Sequence, residues 1–166
     1  MKRGLIFTMM LTLAIGLVVG SSAVQAARYH FELQGLNTAS DSSGNVIAIN
    51  GQGNFDTTQG TVSGGGSFSV YDPIGAVISK GTWVATDFMS FDDLGGVNNG
   101  FQTGSLDIEI TLRPRGGAPI TGVAMNVFCE PGEVPGPAEP DSEDGTTVGE
   151  FTLNAHGFTL FQLIRP

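Results

Sequence analysis

The sequence predicts an all-β protein, a small antiparallel barrel of about eight strands, with a two-sheet sandwich as the alternative arrangement. Two observations predict it. Beyond the first two dozen residues no long segment carries a helical period, and short alternating segments recur between clusters of Gly, Asn, Asp and Pro. The chain also contains 25 glycines with β-branched and aromatic residues filling the gaps between them, a composition suited to strands that bend.

The N-terminus stands apart from this pattern. Lys2 and Arg3 precede a nearly unbroken apolar run from Leu5 to Val19, and Val24-Gln25-Ala26 places small residues at −3 and −1 of a cut after Ala26. That order is a cleavable secretory signal, a helix outside the fold, so residues 1–26 are set aside and 27–166 form one domain. The expected location is the periplasm or the exterior. Cleavage removes two of seven basic residues and none of the sixteen acidic ones, leaving five against sixteen, a net charge of −11. Such a field repels nucleic acid and anionic lipid, so neither nucleic acid nor a membrane is an expected partner after processing. The one cysteine, Cys129, has no second cysteine to pair with. The core must therefore hold by packing and sheet hydrogen bonds.

In order along the chain, residues 28–34 alternate, with Tyr29, Phe31 and Leu33 on one face. Asp41 to Asn45 reads as a turn, 46–55 as a strand, 57–60 as a turn and 61–71 as the return strand. Asp72-Pro73-Ile74-Gly75 is a third turn, with Pro73 at the position its fixed φ favours. Residues 76–91 form one long strand or two with a bulge near Gly81, and 92–100 a loop. The cleanest strand is next. Leu106, Ile108, Ile110 and Leu112 alternate with Asp107, Glu109, Thr111 and Arg113, one face dry and one wet. Residues 120–129 return, 130–145 make a long acidic Pro/Gly loop, and 147–164 give one or two closing strands around Gly157. Successive hairpins suit meander order, and closure removes exposed strand edges.

Two short patterns bear on function. Gly51-x-Gly53-x-Phe55 is echoed by Gly64-x-Gly66-x-Phe68, which reads as two neighbouring strands bending together or as a ligand-facing patch. Gly81-Thr-Trp83 resembles the Gly-x-Trp of lipocalins and avidin-like proteins. There it lies on the first barrel strand, whereas here at least three strands precede it. The likeness implies a calycin-like small barrel and transfers no binding residues. Phe55, Phe68 and Trp83 are accordingly the candidate lining of a pocket for a small apolar ligand.

Chemistry-bearing residues are sparse. There is no Gly-x-Ser-x-Gly elbow, and only His30 and His156 are available as bases of the usual kind. Cys129 shares parity with Val123, Met125 and Val127 and should point into the core as an inert thiol. His30 and Glu32 share a strand face, and pairing of first and last strands would bring His156 to them as a candidate metal set. A cut after Ala27 instead would make His30 the third residue of a terminal Cu(II) or Ni(II) site. Glu139, Asp141, Glu143 and Glu150 superficially fit a calcium loop, but Asp144 occupies the position that requires glycine. No cofactor is called for. The expected function is that of an exported non-enzymatic module binding a small molecule or another surface. The rivals are a cyclase- or isomerase-type barrel enzyme working by pocket shape, and a cell-surface structural protein.

Overall fold

A computed structural model describes residues 27–96, 101–129 and 144–164. The segment expected as a signal, residues 1–26, and most of the expected acidic loop, with Glu139, Asp141 and Glu143, lie outside the described residues. The elements are β1 (Arg28–Ser40), β2 (Val46–Asp56), β3 (Thr61–Tyr71), β4 (Val77–Gly96), β5 (Phe101–Pro114), β6 (Ile120–Cys129), β7 (Gly145–Val148) and β8 (Leu153–Ile164). All belong to one antiparallel sheet in the order β4-β3-β2-β1-β8-β5-β6-β7, and β4 also pairs with β5. Six strands, β1 to β5 and β8, thereby close a ring. The two-sheet alternative is not what forms.

The ring has two unlike ends. At the upper end lie the turns that follow β1, β3, β5 and β7. At the lower end β1 begins and β8 finishes, with Arg28 opposite Ile164. The closing contact between β5 and β8 is short, Phe101 with Gln162 and Gln102 with Phe161, and it lies at the lower end. Above it, β6 takes over as the partner of β5 from Gly104 to Leu112. β7 then pairs with β6, and the Gly157 N–H reaches back to the Asp144 carbonyl at 3.0 Å. The strands therefore enclose more space above than below, because width grows with strand number.

Buried Asn37 holds this wedge. Its amide donates to the Phe158 carbonyl at 3.2 Å and to the Gln34 carbonyl at 3.4 Å, and its oxygen accepts from the Thr146 hydroxyl at 3.4 Å. Gly157 lies inside β8 rather than at a strand break, because a Cβ there would strike the Asn37 side chain. The break between β7 and β8 falls instead after Val148. Alternation ends at Gln34 on reading the sequence, yet β1 runs on to Ser40 through a register shift between Leu33 and Asn37. A buried asparagine in an inward position hid that continuation.

β4 is one long strand, and its irregularities differ from expectation. Pairing is continuous through Gly81, and the shifts lie between Val77 and Ser79, Ala85 and Asp87, Phe88 and Ser90, and Asp93 and Gly95. They re-aim the strand so that Trp83, Ala85, Phe88 and Phe91 oppose Leu112, Ile110, Ile108 and Leu106. Residues 92–96, expected as loop, extend β4.

The glycine echo has a packing cause. Gly51 pairs with Gly66 and Gly53 with Gly64, so the two copies face each other across β2 and β3. A Cβ on Gly51 would lie 2.5 Å from Trp83, and one on Gly53 would lie 2.7 Å from the Phe31 ring tip. The glycines are the floor on which Trp83 and Phe31 lie, both fully buried. Below them Tyr29, Phe55, Phe91 and Phe161 form an aromatic layer, with ring centroids 4.8 to 6.1 Å apart in the contacting pairs.

Candidate functional site

The wider upper end opens into a cavity of about 490 Å³, within the usual range for a small-molecule site of roughly 300–1,000 Å³. Its floor is Ile47, Phe68, Val70, Leu112, Val123 and Val148. Ile78 and Ile120 stand at its rim, more than half exposed. Each element contributes from the end nearest the upper turns. The floor residues of β5 and β7 follow strand alternation, and the remaining opening exists because β6 and β7 widen the perimeter above the aromatic layer.

The polar lining is confined to Asp41, Asn45, Ser79 and Glu150. Asp41 is committed to its own turn. Its carboxylate accepts from the backbone N–H of Ser43 at 2.8 Å and of Asn45 at 2.9 Å, and from the Asn45 side-chain amide at 2.6 Å. The Asn45 side chain foremost, with these backbone donors, holds its pKa below the usual carboxylate value. An ionised, fully engaged carboxylate is a poor proton donor and a good anchor for the mouth.

A second opening of about 500 Å³ lies at the lower end beside Arg28, Asn54, Asp56, Gln59 and Ser63. Among the described residues its one cation is Arg28, whose Nε donates to Asp56 at 3.1 Å. Backbone donation from Gln59, with Arg28, lowers the Asp56 pKa. Nearby, the Tyr29 hydroxyl donates to Asp93 at 3.1 Å, and burial, with Asp93 adding to it, pushes that phenol up to about 12. These groups satisfy one another.

The structure separates the sequence-predicted pocket residues. Phe68 faces the upper cavity, Trp83 fills the middle and Phe55 belongs to the lower aromatic layer. Antiparallel pairing is the reason. Phe55 opposes Val62 while Phe68 opposes Ile49, so each phenylalanine follows its glycines in the opposite direction. The metal candidates are also kept apart. First and last strands do pair, but His30 opposes Gln162 and His156 opposes Thr38. Gln162 and His156 stand six positions apart on β8, on the order of 20 Å at the strand rise. His30 bonds Asn54 at 3.1 Å, His156 bonds the Thr38 hydroxyl at 3.2 Å, and Glu32 stands opposite Gln52. Among the described residues no group of three or more His, Cys, Asp or Glu could hold a metal ion. Cys129 is half-buried and packs against the core.

Of the cavity floor, the sequence pointed only to Phe68. The signal for the others was their shared distance from turns at one end, legible only once the hairpin order is known. No protein-family model, curated protein or solved structure matches the chain.

Proposed function

We propose that the ring acts as a small barrel whose upper mouth binds a small apolar molecule, in an exported, non-enzymatic module. The observation that carries this reading is the 490 Å³ cavity with an aliphatic and aromatic floor and few polar groups. Such a site gains affinity from removing apolar surface from water, with its polar groups setting orientation. The engagement of both Asp41 oxygens by its own turn favours binding over acid–base catalysis.

The test is native mass spectrometry of the protein purified from its own host, joined to titration with a fluorescent apolar probe. One retained or titrated molecule per chain is expected. Leu112→Trp, which enlarges a floor residue into the cavity, is expected to abolish it. Uptake that survives this substitution would place the site elsewhere.

A further inference from the structure

The upper end carries a surface that the net charge of the chain conceals. Two neighbouring hairpin tips there expose large aliphatic side chains. Ile74 is 90% exposed at the β3–β4 turn, Val77 and Ile78 are 53% and 57% exposed where β4 begins, and Ile120 is 52% exposed where β6 begins. Behind these tips comes a band of cations. Lys80, Arg113 and Arg115 are exposed, and they are three of the four Lys and Arg among the described residues. The Arg115 N–H bonds the Lys80 carbonyl, and Arg113 pairs with Thr82, so all three share the end of one β4–β5 ladder.

The order of these groups along the strand carries the argument. Lys80 lies two positions beyond Ile78 along β4, up to about 7 Å further from the tip. The headgroup layer on one side of a bilayer is about 5–8 Å deep, and interfacial segments bury apolar side chains by about 5–10 Å. With Ile74 and Ile78 at acyl depth, the cations reach the level of the headgroups. We infer that the upper end docks on an anionic lipid surface, with Ile74, Val77, Ile78 and Ile120 inserted and Lys80, Arg113 and Arg115 against the headgroups.

The net charge of the processed chain opposes this at long range, but screening decides at contact. On the same wall the first acids are Asp87 and Glu109, which oppose each other. Glu109 lies four positions below Arg113, on the order of 13 Å, beyond a Debye length of about 8 Å. Among the described residues three acids share the upper end. Asp41 is buried in its turn, Asp72 turns back to accept the N–H groups of Ile74 and Ala76, and Glu150 is exposed across the mouth. The lower end also exposes Met89, Leu94 and Leu163, but Asp92 and Asp93 adjoin them and would be repelled. Docking is therefore one-ended, and it sets the cavity mouth against the acyl layer.

The test is co-sedimentation of the processed protein, recovered from the exporting cell, with vesicles of phosphatidylcholine alone or with an equal share of phosphatidylglycerol. Binding to the anionic vesicles is expected to weaken with salt. Lys80→Gln, Arg113→Gln and Arg115→Gln should each lower it about fivefold. Ile74→Asp with Ile78→Asp should abolish it, while Leu94→Asp should leave it unchanged. The emission of Trp83, the single tryptophan, reports whether each variant is folded. No binding to anionic vesicles, equal binding to both kinds, or indifference to the tip substitutions would overturn the inference. So would self-association in size-exclusion chromatography that the tip substitutions abolish, which would make a second copy the occupant.

Discussion

The indole N–H of Trp83 donates to the backbone carbonyl of Asn50 at 2.9 Å. The bond spans β4 to β2 across β3, and the ring reaches over Gly66 to make it. A Cβ on Gly66 would lie 2.7 Å from the indole nitrogen and would strike the Asn50 carbonyl as well. Gly66→Ala is therefore expected to cost stability well beyond the few tenths of a residue swap on an open strand, about 1–3 kcal/mol or more for an overpacked core. Trp83→Ala should cost about 3–5 kcal/mol and Trp83→Phe less. Urea unfolding of the three variants checks the order. A Gly66→Ala protein as stable as the wild type would show that the indole does not need this floor.

Asn37 is a test of what keeps β7 in place. It is fully buried, and its side chain bonds Gln34 within β1, Phe158 on β8 and Thr146 on β7. Asn37→Leu should leave those groups unpaired at about 1–3 kcal/mol each. The amides of β7 should then exchange with solvent faster than those of β2 and β3. Uniform loss of protection across the sheet would mean that the asparagine stabilises the fold without holding the wedge.

Tyr29 provides a readout at alkaline pH. Its phenol is raised to about 12 from an ordinary 10.0. Between those values the unfolded chain has released a proton that the folded chain keeps, so stability is intact below pH 10 and falls as pH rises toward 12. Tyr71→Phe leaves Tyr29 as the only tyrosine, and phenolate absorbance then titrates it alone. Asp93→Asn should bring the midpoint part of the way down, since burial, the larger cause, remains. A midpoint near 10 in the Tyr71→Phe protein would refute the packing described for this ring.

Asp41 and Asp56 act at the other extreme. Both carboxyl groups are held below their ordinary 3.8 by hydrogen bonds, from Asn45 foremost in the first case and from Gln59 foremost in the second. Depressed values favour the ionised form in the fold. Their contribution is present above the ordinary carboxylate range and is lost as pH falls through the folded values, below 3.8. Asp41→Asn with Asp56→Asn should flatten the fall in the urea midpoint on acidification. An unchanged acid limb would show that other carboxylates set it.

Much of the fold was legible because its signals are local. The alternation of Leu106 to Leu112, the turn chemistry of Asp41 to Asn45 and Asp72 to Gly75, and the limits of β3 and β6 each depend on a few adjacent residues. Hairpin succession also predicted that first and last strands pair. The sites were less legible. Phe55, Phe68 and Trp83 were grouped by sequence proximity, and His30 with His156 by strand pairing without register. Register is a long-range property, and a shift such as that between Leu33 and Asn37 leaves little local trace.

The amino-acid pattern by itself determined the strand class, the number of strands and the need for a core without a disulfide, because side-chain period and turn propensity are properties of neighbouring residues. It also pointed to a barrel; what forms is one antiparallel eight-stranded sheet in which six strands close a ring. Only the tertiary structure decided that β6 and β7 enter above a short β5–β8 contact. That insertion widens one end, opens the cavity beside Phe68 and gathers Ile74, Ile78 and Lys80 at its rim. The physical reason is that closure joins residues more than fifty positions apart, and no local preference records which of them will meet.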